Sequence, residues 1–196
     1  MNTILHHAAL AWLVVLAAMP ATALAGEKPA FELTLDIDQD GTMDRAVVMQ
    51  DYGGPADLYI YLATAEEKPD PSRKPDFVRK ALTEDPVVDL ESKSKGSLAI
   101  TSCTGCGAIK STEETLIIVY RRGKFLVGGY RRSWDWNIQK SDGTVETTLG
   151  DCDINYLTGK ATASRDLEDG KPVKGRFRPV LLKDWSYQKR PKICVF

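Results

Sequence analysis

Thr115-Leu-Ile-Ile-Val-Tyr-Arg-Arg-Gly-Lys-Phe-Leu-Val-Gly-Gly-Tyr130 is the stretch that decides the fold class. Residues 115–120 and 125–130 are rich in β-branched and aromatic side chains, which fit a pleated, half-buried surface. Between the two runs sits Arg122-Gly123, and glycine there admits the positive φ that a tight hairpin turn requires. The stretch therefore reads as a β-hairpin. Outward from it the same grammar repeats. Phe31, Leu33 and Leu35 alternate with Glu32, Thr34 and Asp36, and short apolar runs recur at 46–49, 59–62 and 98–100. Turn pairs punctuate them: Asp40-Gly41, Gly53-Gly54, Lys95-Gly96, Asp142-Gly143, Thr158-Gly159 and Asp169-Gly170. Short strands at this spacing predict a mainly β chain with one antiparallel β domain, built as a sheet, a sandwich or a partial propeller.

Two regions break the rhythm. Residues 68–75 hold Pro69, Pro71 and Pro75 and read as an exposed loop. Residues 76–85 fit the one short helix the fold has room for, capped by Asp76 with Phe77, Val78, Ala81 and Leu82 turned inward. A strand over 77–82 fits the same residues.

The 196 residues carry 26 Lys+Arg against 27 Asp+Glu, with four cysteines and two histidines. Residues 1–25 contain no charge, an apolar run from 8 to 19, Pro20, and the small-residue ending Ala23-Leu24-Ala25. That pattern predicts a secretory signal peptide, a β domain over 26–196, and a periplasmic or secreted location with no stable membrane insertion after cleavage. His6 and His7 both lie in the leader. Its removal takes histidine-based triads, cysteine–histidine pairs and histidine-ligated zinc out of consideration. Cys103, Cys106, Cys152 and Cys194 form an even set, which in an exported chain favours two disulfides. Four cysteines allow three pairings and the sequence does not choose among them; the expectation taken forward is Cys103–Cys106 with Cys152–Cys194. The Cys103-Thr-Gly-Cys106 spacing also suits a redox dithiol, although such sites take a depressed thiol pKa from a helix N-terminus. The residues that follow Cys106 lead into a strand instead.

Asp36-Ile-Asp-Gln-Asp-Gly-Thr-Met-Asp44 is the sharpest motif. Asp36, Asp38, Asp40 and Asp44 fall at positions 1, 3, 5 and 9, Gly41 at 6 permits the sharp turn, and Thr42 at 7 offers its carbonyl. Four carboxylates in nine residues repel one another unless a cation sits among them, and oxygen-only donors select a hard ion such as calcium. A helix–loop–helix hand needs Glu at position 12, where this chain has Val47, and both flanks read as strands. One structural Ca2+ tying a β–β turn is the expectation.

This loop, followed by an apolar strand, resembles the calcium loop of FG-GAP or VCBS-type (integrin-like) β repeats. Lys124-Phe-Leu-Val-Gly-Gly-Tyr130 and Asp153-Ile-Asn-Tyr-Leu-Thr-Gly-Lys160 are similar to strands of small exported bacterial proteins that carry a single such loop. The resemblance implies an exported, calcium-stabilised β domain and brings no catalytic residues with it.

Charge is unevenly spread. Residues 27–70 hold 11 acids and 3 bases, whereas residues 171–192 hold 8 bases and Asp184 alone as acid. The basic end suits an anionic partner, namely an acidic envelope protein, a cell-wall polymer or lipopolysaccharide; an exported protein has little call on nucleic acid. Arg131-Arg-Ser-Trp-Asp-Trp136 places Trp134 and Trp136 on one strand face, and Trp185 with Tyr187 repeats the spacing. Arg131, Arg132, Trp134, Trp136 and Trp185 are the candidate partner-binding residues, with core closure as the competing role for one tryptophan of each pair. Together these features favour a non-enzymatic binding protein of the cell envelope, of inhibitor or immunity type. The alternatives are a carboxylate-based cell-wall or glycoside hydrolase, using some pair among Glu113, Glu114, Asp135 and Asp153, and a redox protein on Cys103 and Cys106.

Overall fold

A computed structural model describes residues 28–165 and 170–195; the leader expected over 1–25 and the Asp169 half of one turn signal lie outside the described residues. Strands β1 (Phe31–Leu35), β2 (Asp44–Gln50), β3 (Ala56–Tyr61) and β4 (Phe77–Thr83) form an antiparallel meander in that order. A second antiparallel sheet begins at β5 (Val87–Lys93) and runs through β6 (Ser97–Thr104), β7 (Lys110–Arg121), β8 (Lys124–Gln139), β9 (Val145–Asn155), β10 (Lys160–Arg165) and β11 (Lys171–Pro172). A short β12 (Val180–Leu181) pairs with Leu126 and Val127 of β8, on the side that β9 leaves at Gly129. The expected mainly β, antiparallel single domain is thus observed, as two facing sheets. Among the described residues no helix exceeds a single 3-10 turn, and none is long and apolar enough to cross a membrane.

The hairpin at 115–130 forms as read. Arg122 and Gly123 take φ values of 52° and 72°, the left-handed pair that matches strand twist in a two-residue turn. One irregularity follows inside β8. Ile118 faces Val127 while Ile117 faces Gly129, so Gly128 is an extra residue, a β-bulge. The inward parity therefore changes along β8: Phe125 and Val127 are buried before the bulge, and Tyr130, Arg132 and Trp134 after it. Residues 156–159 form the β9–β10 turn that Thr158-Gly159 signals, between Asn155 at the end of β9 and Lys160 at the start of β10.

Residues 76–85 resolve as a strand. β4 pairs with β3 from Phe77 against Ile60, and Ala81 adopts a φ of 47°. That left-handed residue interrupts the pleat, so the buried Leu82 falls five residues after Phe77, off a strict period of two. The slip is what gives the segment its helix-like spacing.

One core lies between the sheets, drawing Leu35, Ala46, Leu58 and Ile60 from the first and Leu98, Ile100, Ile118, Val127 and Ile154 from the second. Phe77 of β4 meets Phe125 of β8 at 4.9 Å between ring centroids. The four-stranded sheet does not suffice to cover its larger partner, and residues 180–195 complete the layer. Leu182, Trp185 and Cys194 join the same core, and the Trp185 ring lies 5.7 Å from Tyr130.

Trp134 is seated by a feature that hydropathy does not reveal. It pairs across the sheet with Gly150, and a Cβ built on Gly150 falls 1.7 Å from Cζ2 of the indole. Only a residue without a side chain leaves room for that ring. Gly150→Ala is expected to destabilise the protein by about 1–3 kcal/mol, the usual cost of overpacking. A urea titration followed by tryptophan emission measures it; an unchanged midpoint would show that the ring sits elsewhere.

Candidate functional site

The 36–44 loop joins β1 to β2 with its acidic residues gathered at one end. One carboxylate oxygen from each of Asp36, Asp38 and Asp40 lies within 4.8 Å of the others. Backbone donors fix them there. Asp36 accepts from the amides of Asp40 (3.1 Å) and Gly41 (3.1 Å), Asp38 accepts from that of Asp40 (3.2 Å), and Asp40 accepts from the Thr42 amide (2.7 Å). Gln39 and Gly41 bend the chain through φ values of 65° and 92°. The Thr42 hydroxyl also donates to Asp40, and this bond holds the Asp40 carboxyl below the usual carboxylate range. Asp38 moves the other way: burial raises it most, with the charges of Asp40 and Asp36 adding to the rise. Asp38 thus feels both neighbouring charges, and the donors of the cluster are oxygens throughout, the chemistry a hard cation accepts.

Asp44, the fourth carboxylate of the motif, stands outside this cluster. Its side chain is fully buried, with one oxygen accepting from the Ile37 amide (2.9 Å) and the other from the Ala63 amide (2.8 Å). It clamps the start of the loop to the end of β3, and burial, its largest influence, raises its carboxyl. The loop is also seated on the opposite sheet. Gln39 donates to the Lys95 carbonyl at 2.7 Å, and a Cβ on Gly96 would fall 2.2 Å from the Asp36 carbonyl oxygen. The acidic loop therefore rests on the β5–β6 turn and bridges the two layers.

The tryptophan–arginine set separates by strand parity. Arg131 is exposed on the outer face and bonded to Asp151 at 3.0 Å, while Trp136 is half-buried with its indole N–H donating to Thr112. Trp134, Trp185 and Arg132 are buried, so these three do not form an outward patch with the others. Arg132 instead belongs to a polar centre that sequence reading missed. Glu114 of β7 is buried, with Arg132 Nε at 3.1 Å and Arg190 Nη1 at 2.6 Å from the same carboxylate oxygen. Arg132 also donates to the Cys194 carbonyl, and Arg190 lies 3.5 Å over the Tyr187 ring. Tyr130 closes the group, its phenol pushed far up by burial and then by the Glu114 charge. The space beside Glu114, Tyr130 and Arg190 is about 10 Å3, room for one water. Glu114 and Arg190 are 76 residues apart, and no local pattern links them.

The cysteines form the pairs Cys103–Cys106 and Cys152–Cys194. The first closes the β6–β7 hairpin tip, with Cys106 exposed and β7 following, so no helix N-terminus adjoins it. The second is wholly buried and ties β9 to the C-terminal run. Of the remaining acids, Glu113, Asp135 and Asp153 are exposed, and Arg131 is paired across the sheet with Asp153. Partial desolvation by its neighbours, followed by the Asp151 charge, raises the Asp153 carboxyl.

No family model matches this chain, and no curated protein or solved structure matches it either. The likeness to single-loop exported calcium proteins accordingly rests on the residues of the loop, of 124–130 and of 153–160 alone.

Removing the charge of Glu114 leaves Arg132 and Arg190 facing each other in a water-poor space. Glu114→Gln is expected to cost about 3–5 kcal/mol, as when one partner of a buried ion pair is deleted. Denaturant unfolding compared with wild type measures this. A loss under about 1 kcal/mol, the range of exposed pairs, would show the cluster to be solvated.

Proposed function

We propose that this chain is an exported, calcium-stabilised binding protein of the bacterial cell envelope, non-enzymatic and of inhibitor or immunity type. The observation that carries the reading is the Asp36–Asp38–Asp40 cluster, held by backbone amides on a turn between strands. Asp36, Asp38 and Asp40 would hold the ion, with the Thr42 carbonyl beside them. The ion would offset the mutual repulsion of the acids and stiffen the bridge between the sheets. Export is supported by the uncharged 1–25 segment with its A-x-A ending and by the two cysteine pairs. An envelope protein or an anionic cell-wall or lipopolysaccharide surface is the proposed partner, and the basic C-terminal end supports it. The binding reading is favoured over a hydrolase because Glu114 is committed to two arginines beside a space too small for a sugar. It is favoured over a redox protein because the Cys103–Cys106 pair lacks the helix that lowers a thiol pKa.

Thermal unfolding in millimolar calcium and in excess chelator tests the metal. A site filled to about 100 times its Kd adds roughly 2.7 kcal/mol. For a chain of this length that corresponds to a Tm higher in calcium by roughly 5–10 °C. Asp38→Ala and Asp40→Ala should lower Tm in calcium and abolish the response to chelator. A wild-type Tm indifferent to chelator contradicts the proposal.

A further inference from the structure

Where the open end of the smaller sheet meets the β7–β8 turn, the layers part into a groove of about 470 Å3. Its floor is aromatic and aliphatic: Phe77, Tyr120, Phe125, Leu62 and Leu181. Phe125 anchors the floor, with ring centroids 4.9 Å from Phe77 and 4.8 Å from Tyr120. The volume falls within the usual range for small-ligand sites, as does a mainly apolar lining with a few polar groups at the rim.

The rim is cationic. Lys124 and Lys183 line the groove, and its Asp76 is already committed to the Leu62 amide and the Arg73 guanidinium. Arg121 and Arg122 stand on the other side of the same turn, where a neighbouring recess has Leu126, Leu157 and Pro179 in its walls. Among the described residues, Arg121, Arg122, Lys124 and Lys183 have no ion-pair partner, whereas Arg45, Arg73, Arg131, Arg132 and Arg190 each face a carboxylate. Four uncompensated cations around one turn create a positive potential that is strongest where low-dielectric walls flank it. An apolar floor beneath such a rim selects a molecule that is both anionic and apolar. A sugar or a simple inorganic anion uses only half of what is there.

We propose that the groove beside the β7–β8 turn binds an anionic lipid, its phosphate between Lys124 and Lys183 and its chain along Phe77, Tyr120 and Phe125. This deepens the envelope-binding reading by naming a ligand and a place for it. It does not depend on the acidic loop, which contributes no residue to the groove.

Calorimetric titration of the full chain with dihexanoyl phosphatidylglycerol below its micelle concentration tests the assignment. Dihexanoyl phosphatidylcholine, glycerol 3-phosphate and polyglutamate serve as comparison probes, in calcium and in chelator. The phosphatidylglycerol is expected to bind at least about tenfold more tightly than the chain-free glycerol phosphate and the zwitterionic lipid, the equivalent of one well-made charged contact or a few buried methylenes. Lys124→Gln/Lys183→Gln, both exposed positions, should weaken it about tenfold or more with the circular dichroism spectrum unchanged. No binding, equal binding of glycerol phosphate, or an unaffected double variant would overturn the proposal. Polyglutamate binding as tightly as the lipid would also overturn it, and would assign the cations to an acidic protein. Lipid binding that persists while chelator leaves Tm unmoved would remove the calcium reading and leave the groove standing.

Discussion

Glu114 holds two guanidinium groups at once, and through them it fastens the C-terminal run to the larger sheet. The constraint behind this is geometric. A four-stranded sheet faces a larger partner, and the uncovered part of the partner's inner face must be closed by residues 180–195, which are largely irregular. Irregular backbone buries carbonyls that no ladder satisfies, so side chains have to reach them. Arg79 donates to the Trp185 carbonyl and Arg132 to that of Cys194, while Arg190 reaches back to Glu114. The Cys152–Cys194 bond fixes the far end. A buried ion pair is weak evidence of net stabilisation, because desolvation offsets most of the attraction. In the observed arrangement the segment satisfies all of these groups together.

Two further features sit at one end of the molecule. The acidic loop is held by backbone amides and propped on the β5–β6 turn of the opposite sheet. The β7–β8 turn, at the same end of the larger sheet as the β5–β6 turn, sets Arg121, Arg122 and Lys124, without ion-pair partners among the described residues, beside an aromatic floor. Ala63, whose amide and carbonyl bond to Asp44 and Thr42 of the loop, adjoins Leu62 of the groove. The near-zero net charge is the sum of an acidic 27–70 stretch and a basic 171–192 stretch.

Much of the fold was legible in the sequence because strand alternation and glycine-bearing turns are local signals. β1 and the 115–130 hairpin follow directly from them, and the Lys95-Gly96 turn takes φ values of 61° and 67° where the pair was read. Residues 76–85 were ambiguous for a definite reason: the positive φ at Ala81 shifts the inward parity and imitates helical spacing. The candidate sites were less legible because they depend on parity and distance. One bulge residue, Gly128, sets which of Arg131 and Arg132 turns inward, and no composition argument sees it. Trp134 and Trp136 look alike by spacing, and it is Gly150, sixteen residues after Trp134, that seats the first of them in the core. Asp44 reads as a ligand by position, yet its oxygens serve two backbone amides.

Calcium titrated into chelator-stripped protein, with binding followed by equilibrium dialysis, bears most directly on the central claim. One ion per chain is expected, with magnesium competing poorly because it demands a tighter octahedral cage and gives up its waters reluctantly. Zero ions bound, or an undiminished uptake by Asp38→Ala, would contradict it.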